Sequence, residues 1–472
     1  MRRLRVAAAV AAVALAAPAT ASAHSGLTQR QNLPIPDFLF GWAAAAVLIV
    51  SFGALAVLWP QSRLEHATTW RPVGWGIGRA LGSRVVEALC GLIGVALLVV
   101  TIVGGYVGPE SGADNFAPTF ILITFWVGLV FASILFGDLF RAFSPWRAIG
   151  RAVGAVLGRR RPAPLPYPEA VGRWPAVAVL LIFPWIELVG RWDSVPKTLV
   201  SAALGYTVTT LAAQAIYGTE TWSRRGEGFA VYFNLFSRMS VFETRDRVVG
   251  VRPPLSGLPK LDPAPGTVAV VVVMIGTVTF DGLSQGPLWQ SLAPHLQDLF
   301  ASLGFGAAPA EKLAGTVGLL FGVALVGGVY QLGMDGTRSV GGDMSLERLR
   351  RTFIHTLVPI AAVYVAAHYL TYFIFEGQRI RYLASDPFGQ GWDLFGSAAS
   401  GIDYSLLSQN GAWYLEVLFV VTGHIAALTL AHDKALAVYG QAKTAVRSQY
   451  WMLGVMVGFT SLALWLLANT NK

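Results

Sequence analysis

Ten apolar stretches, none containing a lysine or arginine, recur along the chain at 38–59, 85–107, 118–137, 174–190, 198–217, 266–282, 313–334, 353–375, 411–431 and 450–468. Most reach the ~20 residues that an α-helix needs to cross ~30 Å of hydrocarbon. Polar, Gly-rich and Pro-rich segments separate them. The pattern predicts an all-α protein, a polytopic transmembrane helix bundle with one ten-helix domain over 24–472. Ahead of it, Arg2, Arg3 and Arg5 precede an Ala-rich apolar run, and Ala21-Ser22-Ala23 has the A-x-A form of a cleavage site. Residues 1–23 therefore read as a secretory signal peptide.

Composition supports lipid as the solvent. Of 472 residues only 13% are charged and 54% are hydrophobic, whereas soluble domains carry ~25% charge. Taken alone, the net charge of +9 would suggest a nucleic-acid partner, but its distribution argues otherwise. Loops 60–84, 138–173, 218–265, 335–352 and 432–449 hold 25 basic residues, against 7 in the loops of the other side. A positive-inside bias of this kind sets orientation. It predicts a plasma-membrane protein with those loops cytoplasmic and with both the mature N-terminus and the C-terminus exterior. The basic loops would meet anionic lipid. The single cysteine, Cys90, excludes an intrachain disulfide and a Cys-based zinc site.

Smaller patterns add expectations. Segment 144–158 reads as an interfacial amphipathic helix, and apolar 226–243, which contains Arg238, as interfacial rather than spanning. Trp70-Arg71 with Gly74, Gly78 and Gly82 resembles Trp146-Arg147 with Gly150, Gly154 and Gly158, either a trace of duplication or chance in a Gly-rich chain. Gly318 and Gly322, four apart, would let another helix approach closely. Gly282-Leu283-Ser284-Gln285-Gly286 matches G-x-S-x-G, yet it ends an apolar span and lacks the strand-to-helix elbow of serine hydrolases. It reads as a turn.

Ionisable groups inside spans carry most of the functional information, because they are costly in lipid. Four acids lie there: Glu87, Glu187, Asp281 and Glu416. The first three fall near span ends, where headgroup water is within reach, whereas Glu416 lies deeper. His355, His368 and His424 also fall in spans, and His432 at the inner end of the ninth. At ~1.5 Å per residue, His368 and Glu416 lie at similar depth, with His424 about 12 Å further in. Tyr364, His368 and Tyr372 repeat at i, i+4, i+8 and share one helix face. Pro359 cannot donate to the carbonyl of His355 and should loosen the inner end of that helix. These residues predict a pocket in the outer half of the bundle. Glu416 and His368 would be its reactive pair, and Tyr364, Tyr372 and Asp281 would line it. His368, His424 and Glu416 are ligand types for a divalent transition metal. Signal cleavage would add His24, whose amine and ring could chelate copper(II) with His295 or His368. Alternatively, the same groups could form interhelical hydrogen bonds that fix register.

The chain also resembles a group of actinobacterial multi-span membrane proteins labelled fenitrothion hydrolase. The resemblance is carried by LPIPDFLFGWAAAAVLIVSF (33–52), FRAFSPWRAIGR (140–151), RRGEGFAVYFNLFSRMSVF (224–242), VRPPLSGL (251–258), TFDGLSQGPLW (279–289), HYLTYFIFEGQ (368–378), SDPFGQGWDLFG (385–396) and GHIAALTLAHDKAL (423–436). It implies hydrolysis of a phosphotriester, an apolar substrate that would enter from lipid, and brings no catalytic residue with it. Such hydrolysis is usually metal-assisted. A cation- or proton-coupled permease using Glu416 and the histidines, or an accessory membrane protein with structural polar residues, would fit the same sequence.

Overall fold

The computed structural model describes residues 37–156, 165–192, 195–340 and 344–469. The expected signal peptide and His24 lie outside the described residues. Each of the ten apolar stretches is helical: α1 (Asp37–Leu58), α2 (Arg84–Val107), α3 (Phe116–Phe136), α4 (Trp174–Leu188), α5 (Pro196–Tyr217), then, after the short connecting helix α6 (Gly228–Ser237), α7 (Thr267–Ser284), α8 (Ala307–Arg338), α9 (Leu346–Ser385), α10 (Gln409–Tyr439) and α11 (Tyr450–Asn469). Among the described residues, α2, α3, α5, α7, α8 and α10 are each long and apolar enough to cross a membrane. Helix α9 would be a seventh crossing, but it bends by 60° between its first limb, Leu346–His368, and its second limb, Leu370–Ser385.

Two helices depart from regular α geometry. In α3 the stretch Thr119–Gly128 is a π-helix, a form that concentrates at functional sites. At its end, Gly128 lets the Phe373 ring of α9 approach so closely that an added Cβ would lie 3.0 Å from the ring. Helix α9 passes through a 3-10 turn at Ile354–Leu357 immediately before Pro359, as the missing proline donor requires. Its sharper break, at Tyr369, contains neither Pro nor Gly.

The centre of the bundle is α7, which packs against α4, α8 and α9. The small residues expected to allow close approach do so. A Cβ at Gly322 of α8 would lie 2.9 Å from the Gly276 carbonyl oxygen of α7, and one at Gly276 would lie 2.5 Å from Val323 Cα. In lipid, such close backbone approach gives dispersion contacts that lipid tails cannot match. In segment 226–243 the helix α6 is too short to span and is buried among the other helices. Tyr232 stacks on Trp126 of α3 at 4.3 Å, and Phe229 meets Phe183 of α4 edge-on at 5.4 Å. At its start, Glu227 accepts from the backbone amides of Phe229 (2.9 Å) and Ala230 (2.8 Å) and from the Tyr206 hydroxyl of α5. A capped helix end leaves few orphan donors, so this apolar segment can be buried.

The basic loops are tied together at one end of the bundle. Strands β1 (Arg71–Pro72), β2 (Phe242–Arg245) and β3 (Val248–Val251) form a small antiparallel sheet in the order β1-β3-β2. Helix Trp75–Leu81 lies against it through Gly78, where an added Cβ would lie 2.6 Å from the Val249 carbonyl oxygen. In the other half of the faint repeat, Gly150 meets the Gln214 side chain and Gly154 faces open space, so the two copies share no structural role. Glu87 does not simply face water. Its carboxylate meets Arg147 at 2.7 Å, Arg151 at 2.6 Å and Arg247 at 3.5 Å, all supplied by the loops.

A second fastening joins α10 to the end of α1. Asp433, 1% exposed, accepts from Trp59 Nε1, Ser62 Oγ and the amides of Arg63, Leu64 and Glu65 at 2.5–3.0 Å. Next to it, His432 Nε2 bonds the Trp59 carbonyl at 3.0 Å and Lys434 meets Glu65 at 2.7 Å. His-Asp-Lys at 432–434 therefore holds one turn of chain by backbone and side chain together.

Candidate functional site

The site forms where α7 meets the break in α9. Asp281 sits one turn from the end of α7, and its side chain is only 1% exposed. Burial of a carboxylate needs partners, and α9 supplies two. His368 Nε2 lies 2.8 Å from Asp281 Oδ2, and the Tyr369 hydroxyl donates to the same oxygen at 2.7 Å. The imidazole and phenol rings meet edge-on at 4.7 Å. Successive residues of a regular helix point about 100° apart and cannot serve one acceptor in this way. The break permits it, since Tyr369 has φ −100° and ψ 13°.

The cluster is not fully enclosed. Although packed deep in the bundle, His368 keeps 26% of its side-chain surface accessible. Tyr364 and Tyr372 are also partly exposed, while Val365, Ala366, Ala367 and Leu370 between them are buried. The Tyr–His–Tyr stripe read from i, i+4, i+8 spacing is therefore a partly exposed face of α9. Opposite it, a Cβ placed on Gly282 would find His368 Cε1 at 4.0 Å as its nearest neighbour, so this side of the imidazole is uncrowded.

Further charges surround the pair. Glu416 of α10 acts electrostatically on His368. Glu187 of α4 does so on both Tyr369 and Tyr232. The Tyr232 hydroxyl is buried with no hydrogen-bond partner among the described residues. The result is a run of polar groups from Glu187 through Tyr232, Tyr369, Asp281 and His368 to Glu416, supplied by five helices.

Several expectations change here. Asp281 was expected to line the pocket or reach headgroup water, with Glu416 as partner to His368. Instead Asp281 bonds His368 directly, because α7 is central and α9 lies against it. His424 does not join the pocket. Its Nδ1 bonds the Val420 carbonyl of its own helix at 2.7 Å, about two turns inward. Among the described residues no group of three or more His, Cys, Asp or Glu side chains is placed to hold a metal ion, so the set His368, His424 and Glu416 does not converge. His295 lies on helix Pro287–Ser302, its Nδ1 bonded to the Ser291 carbonyl at 2.8 Å. Ser284 of the G-x-S-x-G stretch donates to the Asp281 carbonyl at 2.7 Å, so its hydroxyl proton is engaged at the end of α7. Tyr369 was missed because it lies off the stripe, and adjacency to His368 was its one sequence signal.

Chemically, a buried carboxylate that fixes one imidazole nitrogen leaves the other face of the ring to exchange a proton or position a ligand. The chain matches no family model, no curated protein and no solved structure.

Proposed function

We propose that this chain is a ten-span membrane protein, with its basic loops cytoplasmic and both termini exterior. In this reading it works as a proton-coupled permease whose proton site is Asp281–His368–Tyr369. The observation that carries the reading is the bond from His368 to a buried Asp281 at the broken α9, with part of the imidazole accessible. Discontinuous spanning helices are where transporters place coupling sites, and an intramembrane carboxylate–imidazole pair can hold or release a proton as its surroundings alternate. The test uses the full chain in sealed liposomes loaded with a pH-sensitive dye and offered a panel of solutes. Solute-driven proton movement should be lost in His368→Gln and in Asp281→Asn and retained in His424→Gln. Wild-type coupling in His368→Gln would end this reading.

The same bond favours one second reading. A carboxylate-oriented imidazole is a general base, so phosphotriester hydrolysis, as the resemblance implies, would proceed by His368 activating water. Purified protein should then turn over a phosphotriester in the presence of chelator and lose that activity in His368→Gln. Turnover that needs an added metal would point to other ligands.

A further inference from the structure

Past the ends of α4 and α7 the chain continues as a helical hairpin. Helix Pro287–Ser302 follows α7 directly and packs along α8. Trp289 fixes its start. The ring meets Phe280 edge-on at 5.2 Å and fills the notch at Gly318 of α8, where an added Cβ would lie 2.4 Å from it. At nearly the same level Val189, just past the end of α4, meets Gly315 of α8. From Gly318 back to its start at Ala307, α8 rises about 16 Å further. The hairpin therefore stands clear of the apolar bundle.

One face of this helix is apolar and uncovered. Leu288, Leu292, Leu299 and Leu303 are 40–65% exposed. With exposed His295 they fall within about 80° of the helix circumference at 3.6 residues per turn. Trp289, Ala293, Leu296 and Phe300 form the neighbouring, half-buried face, and exposed Ser291, Asp298 and Ser302 lie on the other side of the stripe. A line of exposed leucines beyond the bundle marks an interaction surface. Two features of the stripe identify its occupant. From Leu288 through Leu292 and His295 to Leu299 the steps are 4, 3 and 4, the spacing of a coiled-coil seam, so the surface fits another helix. The leucines alone are separated by 4, 7 and 4 residues, a series that reads the same in both directions. An interface about a two-fold axis must be self-complementary in this way.

We infer that the hairpin docks a second copy of this chain, the two helices Pro287–Ser302 lying antiparallel across a two-fold axis between positions 295 and 296. Leu288 then meets the partner's Leu303, Leu292 meets the partner's Leu299, and the two His295 rings sit beside the axis. A single polar residue within such a seam sets its register at a cost in stability.

The experiment uses the full chain in liposomes, with dimerisation read by energy transfer between labelled copies as lipid is added. Leu292→Lys, at an exposed side chain, is expected to weaken dimerisation about a hundredfold, because symmetry removes the leucine twice. Leu292→Lys/Leu299→Glu should restore it, since an antiparallel pair sets each lysine against the partner's glutamate. His295→Leu should tighten it. In a Cys90→Ala background, His295→Cys should crosslink between copies under mild oxidation. Leu288→Cys alone should not, because about 22 Å of helix separates like positions. Unfolding temperature checks that each variant is folded. Energy transfer unaffected by Leu292→Lys overturns the surface. Failure of the double substitution to rescue, or Leu288→Cys crosslinking as readily as His295→Cys, overturns the antiparallel register. A monomeric wild type overturns the dimer, and a label at position 299 quenched by spin-labelled lipid would then give the stripe to the membrane.

Discussion

Asp433 and Asp281 are both carboxylates at 1% exposure near the ends of apolar helices, and their surroundings are opposite. Asp433 is surrounded by five donors, three of them backbone amides of one turn. Asp281 is met by His368 and Tyr369, the first of which is partly accessible. A carboxylate saturated by fixed amides has one state and acts as a fastener. A carboxylate held by a partly accessible imidazole would, on the proposed reading, share a proton that can leave. Burial alone does not separate the two roles, whereas the mobility of the partner's proton does.

The contrast can be broken most forcefully at Asp433. Asp433→Ala strands five donors and should cost about 3–5 kcal/mol, read as a lowered unfolding temperature in detergent. Coupling per folded molecule should be unchanged, and a loss below about 1 kcal/mol would end the fastener reading. At the other carboxylate the effects reverse. His368→Gln should reduce proton movement about a hundredfold while changing stability by only about 1 kcal/mol.

Arg147 extends the comparison to a loop-borne cation. It is 7% exposed, bridging Glu87 and Glu220 at 2.7 and 2.8 Å. Glu87 keeps Arg151 and Arg247 when Arg147 is removed. Arg147→Met should therefore cost about 1–2 kcal/mol, visible as a modest shift in unfolding temperature with coupling intact.

Glu227 adds an effect that is read against pH. Burial pushes this carboxyl up from 4.5 to about 7, against the opposing pull of Tyr206 and of the Ala230 and Phe229 amides. A raised carboxyl binds its proton more tightly folded than unfolded, so stability falls as pH rises between the two values. Unfolding temperature measured across pH 4.5–7 should show this decline, and Glu227→Gln should flatten it. An unchanged slope would assign the decline to other groups.

Hydropathy made the helices legible, and each of the ten stretches is helical. It could not say which helix is central. In lipid an apolar face looks the same whether it meets hydrocarbon or another helix, so α7 and its valine run gave no sign of its burial. That is why Asp281 was read as a pocket-lining or headgroup-facing acid and not as the direct partner of His368. Depth along an axis put His368 and Glu416 at one level, but rise per residue says nothing about which side of a helix faces which neighbour. The break in α9 was invisible for a related reason. Pro359 marks the milder 3-10 turn, whereas the 60° bend at Tyr369 coincides with contacts to a helix about 90 residues earlier in the chain. Asp433 drew no notice because it was counted among loop acids, and its five donors come from a turn that sequence reading left unstructured.

The fastening at Asp433 also bears on how the chain is made. Its partners precede it by about 370 residues, which at ribosomal speeds of ~5–20 residues per second amounts to roughly 20–70 s of synthesis. Throughout that time the turn after α1 is in place with its amide donors waiting for their acceptor. The turn after α1 is thus latched only once most of the chain has been made. A ribosome that stalls before α10 emerges would leave an inserted but unlatched bundle for quality control to recognise.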